Sequence, residues 1–328
     1  RCELFLESYI FADDETGRLV AARLADAAQR GVVVRVLVDG FGARDFERDF
    51  LPAFLAAGVQ AMIYRPEVAR FRLRRHRLRR LHRKLVVVDG IRALVGGINI
   101  IDDQNTPAGL GPRFDFAVQV EGPVLAAIHA TVRRMWENVA WVNFRRRFRV
   151  SVTTLPSCGA VGDQWAAFLI RDNIRHRYDI ANAYIEAIEA ARQEVIIANA
   201  YFLPGIRFRH ALVDAARRGV RVSVLLQGST DHPLLRDAAR ALYGALIDSG
   251  VNVFEYVGGF LHAKVAVIDG LWATVGSSNI DPMSLLVAKE ANLVVQDRRF
   301  AETLRQPLLR AMAERAVHRL GEDLKKRP

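Results

Sequence analysis

The sequence predicts an α/β protein of two homologous α-β-α halves, each a mixed β-sheet flanked by helices, packed with pseudo-twofold symmetry. Three observations carry this reading. The pattern His-x-Lys-x4-Asp, followed by Gly-small-x-Asn, occurs at His82, Lys84, Asp89, Gly96, Gly97 and Asn99, and again at His262, Lys264, Asp269, Gly276, Ser277 and Asn279, 180 residues later at every position. Random placement would give the His-Lys-Asp part roughly 0.01 times per chain. The stretch 30–38, an Arg-Gly pair followed by a β-branched run, is mirrored by 218–226, as an internal repeat requires. Strand and helix patterns also alternate along both halves, which calls for right-handed crossovers and a layered α/β architecture.

Residues 3–9 alternate like a strand, 18–30 show helical spacing ended by Gly31, and 32–38 form a continuous apolar run suited to a strand buried on both faces. Residues 45–57 read as a helix closed by Gly58, and 59–64 as a strand. After a basic segment at 70–83, residues 84–88 and 92–95 form a hairpin around Asp89-Gly90. Residues 114–120 read as a strand and 123–137 as a helix. The aperiodic stretch 143–162 is the expected linker, giving a first half at 1–142 and a second at 163–328. In the second half the pattern predicts helices at 180–191, 208–218 and 237–248 and strands at 194–200, 220–226, 251–256, 264–268 and 273–275. A strand at 293–296 is expected to close the sheet, and a long helix at 301–320 to end the chain. The first half has no counterpart of the 180–191 helix. Together with Arg1 in first place, this is the pattern expected of a chain whose natural beginning lies further upstream.

At 328 residues with 51% hydrophobic content, the chain has ample material for a core. Its net charge of +11 predicts an anionic partner: nucleic acid, an anionic membrane surface or a phosphorylated substrate. Cys2 and Cys158 have no metal-ligand spacing, so neither a disulfide framework nor a zinc site is supported. No apolar run reaches the length of a membrane span.

The chain holds 42 Arg and only five Lys, yet Lys fills the third position of both motifs. A compact ammonium is wanted there, not merely a positive charge. If the halves pack about a pseudo-twofold axis, two His, two Lys and two Asn converge on a pocket suited to a phosphate. One neutral imidazole can attack phosphorus while the other, protonated, serves as general acid. Lys84, Lys264, Asn99 and Asn279 supply donors for the phosphoryl oxygens. The scheme needs neither metal nor cofactor. Asp115 and Glu290, each just before a predicted strand core, are candidates for holding the second nitrogen of a His. Asp89 and Asp269 lie in Asp-Gly turns, where turn formation and direct catalysis are both open.

These motifs resemble the phospholipase D superfamily, over nearly the whole chain. The residues 7–11, 96–99 and 276–284 are similar to those of bacterial cardiolipin synthases. The resemblance implies phosphatidyl transfer from phosphatidylglycerol through a covalent phosphatidyl-histidine, metal-independent, with His82 favoured as nucleophile and His262 as acid and then base. It implies a phospholipid-synthesising transferase, peripheral on the cytoplasmic side of the bacterial cytoplasmic membrane, with anionic lipids as partners. The alternative is a phosphodiesterase hydrolysing phospholipid or nucleic acid at the same site. A non-catalytic polyanion binder is disfavoured, because both motifs are intact. The Arg-dense run at 70–83 suits anionic headgroups, with Arg74, Arg75, Arg79 and Arg80 as candidates, and 145–149 repeats the theme. Phe41, Phe202, Phe208 and Phe260 are candidates for lipid contact or core packing, and 304–326 for an interfacial helix or one packed on its own domain. The sequence leaves the acceptor alcohol and the oligomeric state open.

Overall fold

The computed structural model describes residues 3–66, 79–107, 109–143, 148, 159–228 and 233–319. The first half runs from β1 (Glu3–Ser8) through α1 (Glu15–Gln29) to β2 (Val33–Asp39), then through α2 (Phe46–Asp49) and α3 (Leu51–Ala56) to β3 (Gln60–Tyr64). These three strands are parallel neighbours. Asp14 caps α1 by accepting from the Gly17 amide, and Gly31, at φ 92, lets the chain turn back into β2. Val34, Val36 and Val38 then enter the core under α1 to α3, while Leu37 enters the opposite one. The single helix expected at 45–57 is two short ones, because Pro52 lacks an amide hydrogen and sits at the start of a new helix.

Antiparallel β4 (Lys84–Val88) and β5 (Arg92–Gly96) follow, then β6 (Arg113–Phe114), β7 (Ala117–Val120) and α4 (Leu125–Val142). The sheet order is β3-β2-β1-β4-β5-β7. The strand expected at 114–120 is thus split: β6 leaves the sheet, and the chain bends at Asp115 before β7 begins.

The second half contains β8 (Trp165–Arg171), α5 (Asp179–Ala190), β9 (Glu194–Asn199), α6 (Ile206–Arg217), β10 (Arg221–Gln227), α7 (Pro233–Asp248), β11 (Asn252–Tyr256), β12 (Phe260–Leu261), β13 (Lys264–Ile268), β14 (Trp272–Gly276), α8 (Pro282–Leu286), β15 (Glu290–Gln296), α9 (Arg298–Arg315) and β16 (Ala316–Arg319). Its sheet order is β16-β11-β10-β9-β13-β14-β15-β8. The six inner strands repeat the order of the first sheet.

Two expectations need correction here. The strand containing 293–296 does not close the sheet, since β8 lies outside it. The terminal helix stops at Arg315 and the chain returns as β16, antiparallel to β11, where Arg319 and Arg240 both bond the buried Glu255. That buried carboxylate needs its partners at one place, and a straight helix would carry Arg319 away. The apolar stripe of α9, with Ala301, Leu304, Leu308, Ala311 and Met312, is buried on its own domain.

The halves share their interior. Ala291, Leu293 and Val295 of β15 pack in one cluster with Leu85, Val87 and Trp136 of the first half. Phe114 and Phe116 pack against the α9 cluster. Phe202, Phe208 and Phe260 are buried, whereas Phe41 is exposed. Most of the expected linker, and most of the basic runs at 70–83 and 145–149, lie outside the described residues.

Candidate active site

The site is built where each half reaches into the other. β6 runs parallel to β12, pairing Arg113 with Phe260 and Phe114 with Leu261, and the His262 amide donates to the Phe114 carbonyl at 2.9 Å. At the pseudo-equivalent crossing Leu81 bridges Lys289, and the His82 amide donates to the Lys289 carbonyl at 3.0 Å. The residue after each crossing strand is a carboxylate. Asp115 of the first half lies 2.6 Å from His262 Nδ1, and Glu290 of the second lies 3.0 and 3.1 Å from His82 Nδ1. The two acids occupy matching positions, because Gly97 donates to Phe116 and Ser277 to Ala291 in the same register. Each histidine is therefore fixed in backbone and ring by the opposite half. With Nδ1 engaged, Nε2 is the nitrogen left to react.

Lys84 and Lys264 open the strands behind the histidines, and each ammonium bonds the carbonyl of its own histidine, His82 or His262. Burial and the neighbouring Lys264 push the Lys84 ammonium down to about 7. Burial takes Lys264 to about 8, against the pull of Asp115 and Glu290. Burial, with the lysine beside each, also holds both imidazoles below their usual range. Burial alone would raise the Asp115 carboxyl, but Lys264 and His262 outweigh it and hold it low. A phosphodiester brought beside the buried ammoniums would offset the desolvation that lowers them, so the pocket favours the arrival of an anion.

His82, His262, Asn99 and Asn279 line one cleft of about 690 Å³. The Asn99 carbonyl oxygen accepts from the Ile10 amide at 3.1 Å, which leaves its NH2 group as a donor. The Tyr9 ring meets His82 edge-on at 4.8 Å and lies 5.3 Å from the Lys84 ammonium.

The lysines make anion binding depend on pH. Unfolded lysine titrates at about 10.4, so between about 7 and that value the unfolded chain binds more protons than the folded one. Unliganded stability from these groups rises with pH through that window, and the burial cost is present in full below it. A phosphodiester offsets that cost only while the ammoniums are charged. Dimethyl phosphate, whose own charge is constant here, is expected to bind at least about tenfold more weakly at pH 9.5 than at pH 6.5. Calorimetric titration checks this, and equal affinities would mean that the lysines keep their protons throughout.

Asp89 and Asp269 are not part of the cleft. Each follows its strand, in the turn and in the left-handed region, at φ 54 and 51, five residues beyond the lysine and about 16 Å away at the rise of a strand. Asp89 accepts from the Glu3 amide at 2.6 Å, and Asp269 from the amides of Arg192, Gln193 and Glu194. Their place in the motif is that of turn formers tying the hairpins to the sheet. Arg74 and Arg75 lie outside the described residues, Arg79 is exposed, and Arg80 lines the cleft.

Three residues escaped the reading of the sequence as site residues. Tyr9 sits just past β1, where ligand sites of open α/β sheets gather. Arg113 precedes Asp115 by two, so alternation is the only signal. Ser277 donates to Glu290 at 2.5 Å, whereas a Cβ on Gly97 would stand 2.3 Å from an Asp115 oxygen. The Gly/Ser difference between the motifs thus follows the shorter and the longer carboxylate.

The family profile described as "Cardiolipin synthase, PLD-like domain" matches residues 2–136 and 184–312. Cardiolipin synthase B of Escherichia coli (strain K12) is 42% identical over 315 residues, 93% of this chain and 73% of that protein. Cardiolipin synthase A of Yersinia pseudotuberculosis serotype O:1b (strain IP 31758) is 32% identical over 316 residues, 94% of this chain and 64% of that protein. Among solved structures, the phosphatidylserine synthase of Haemophilus influenzae Rd KW20 shares the fold at a TM-score of 0.72 and 12% identity, covering 99% of this chain and 84% of that one. With two matching domains whose motif residues meet in one cleft, the chain belongs to the phospholipase D superfamily, in the family of cardiolipin synthase PLD-like domains.

Proposed function

We propose that the protein is a cardiolipin synthase-like phosphatidyltransferase that joins two molecules of phosphatidylglycerol, without a metal, through a covalent phosphatidyl-histidine. The observation that carries this reading is the pair of histidines in one cleft, each with Nδ1 held by a carboxylate of the opposite half. His82 Nε2 attacks the phosphorus of the first lipid. The bond from phosphorus to the glycerol headgroup breaks, and His262 gives its proton to the departing oxygen. His262 then takes the proton of a hydroxyl of the second lipid. That oxygen bonds to phosphorus, the phosphorus–nitrogen bond breaks, and cardiolipin leaves. Lys84, Lys264, Asn99 and Asn279 stabilise the charge on the phosphoryl oxygens. Entry of the anionic diester also offsets the two ammoniums and favours the protonated form of His262.

Lipid, rather than nucleic acid, is supported by the rim. Met283 lines the cleft and is exposed, Ile10 and Ile101 line it as well, and Phe41, under the Arg80 guanidinium, is exposed. Apolar side chains beside phosphate-binding lysines and asparagines suit a substrate with an anionic headgroup and acyl chains. Among the described residues no helix is long and apolar enough to cross a membrane. The rim and the net charge of +11 support binding to the anionic cytoplasmic face of a bacterial membrane from its surface.

The test is incubation of the protein with phosphatidylglycerol vesicles, with and without EDTA, and mass spectrometry of the lipids. Cardiolipin is expected in both. Phosphatidic acid alone would make the protein a hydrolase, and cleaved DNA or RNA with intact lipid would move the substrate to nucleic acid.

A further inference from the structure

We propose that Arg113 is the ligand for the phosphate of the acceptor lipid, and so selects an anionic acceptor over water or a neutral alcohol. The proposal rests on the phosphatidyltransferase reading and deepens it. The reacting phosphate is served by the two lysines and two asparagines, but a phosphatidylglycerol acceptor brings a second phosphodiester one glycerol away from the attacking oxygen. Attack and departure at phosphorus are roughly in line. With His82 on one side of the phosphorus, the entering oxygen lies on the side of His262. The acceptor glycerol must then run past His262.

What stands there is a guanidinium. The His262 ring stacks on Phe260 at 6.0 Å and 21°, and the Arg113 guanidinium lies 4.9 Å from the centre of the same Phe260 ring. Arg113 is fixed in advance: its backbone pairs with β12, its amide donates to the Asp103 carbonyl, and Nη2 donates to the Asn105 carbonyl at 2.8 Å. Arg113 lines the cleft together with both histidines. At the pseudo-equivalent crossing Ala288 stands in its place and Arg80 stands where Phe260 does, so the two ends of the cleft are built differently. A planar guanidinium suits a phosphodiester because it can donate two parallel hydrogen bonds.

In the second step the acceptor hydroxyl gives its proton to His262, its oxygen bonds to phosphorus, and the bond to His82 breaks. Ethanol can make the same attack and bring no phosphate. The experiment therefore offers phosphatidylglycerol vesicles together with ethanol and measures cardiolipin against phosphatidylethanol. Arg113→Gln is expected to lower that ratio at least about tenfold, and Arg113→Lys to recover part of it. Arg80→Gln, at the other end, is expected to lower both products together. An unchanged ratio in Arg113→Gln overturns the proposal, as does a shift of the ratio in Arg80→Gln but not in Arg113→Gln. Wild-type protein that forms phosphatidylethanol and no cardiolipin would instead overturn the cardiolipin reading, and with it any acceptor phosphate to be bound.

Discussion

His82→Ala is expected to reduce phosphatidyl transfer by at least about 10⁴-fold and His262→Ala by a comparable factor, because two groups acting as one unit each remove most of the catalysis. Their phenotypes separate once the leaving group no longer needs a proton. With a nitrophenyl phosphatidyl ester, His262→Ala should release about one equivalent of nitrophenol and stall as a phosphatidyl-protein adduct. The adduct is visible as added mass and should be labile in acid, as a phosphorus–nitrogen bond is. His82→Ala should form none. The reverse pattern would exchange the two roles and place the acceptor on the other side of the cleft. Loss of the burst in both variants, with unfolding transitions like that of the wild type, would sink the covalent route. The geometry supports the test because neither variant touches the other histidine's support: His82 is held through Lys289 and Glu290, His262 through Phe114 and Asp115.

The repeat made most of the fold legible. Two motifs 180 residues apart require two similar sheets, and the β-branched runs at 32–38 and 220–226 mark their central strands because both faces are covered. The misses lie where one half touches the other or where a strand is added at an edge. β8 runs from an exposed Trp165 through five partly buried residues to a buried Arg171, with no clean alternation. Phe114 and Ala117 read as one strand, although their partners belong to different halves, and no periodicity carries information about a partner 147 residues away. In the site, His82, His262, Asn99 and Asn279 were legible from spacing alone. Asp115 and Glu290 were legible as acids that would hold a histidine, but the crossing was not, since it depends on packing between halves. Asp89 and Asp269 belong to the same repeated pattern as the histidines and lysines of the cleft, yet their carboxylates serve backbone amides. A spacing pattern records a hairpin as faithfully as it records a reaction.

The crossing predicts an inverted pattern of phenotypes. Glu290 belongs to the second half but is expected to act through His82, 208 residues away, and Asp115 of the first half through His262. Glu290→Gln keeps the size and a hydrogen-bond acceptor but removes the charge that stabilises His82 as its ring becomes cationic on forming the phosphorus bond. A loss of about 10² to 10⁴-fold follows by analogy with other carboxylate-supported histidines. In the nitrophenyl ester assay that loss should fall on the burst, resembling His82→Ala, whereas Asp115→Asn should spare the burst and slow the release of the adduct, resembling His262→Ala. A Glu290→Gln variant with a normal burst and slow release would show that each acid serves the histidine of its own half. The wild-type arrangement has a further consequence for folding. Glu290 is fully buried between His82 and the Ser277 hydroxyl, and a buried carboxylate without those partners is costly. Docking of the halves therefore completes the hydrogen bonding of Glu290 at the same moment that it assembles the site, so neither half carries a working histidine until the other is in place.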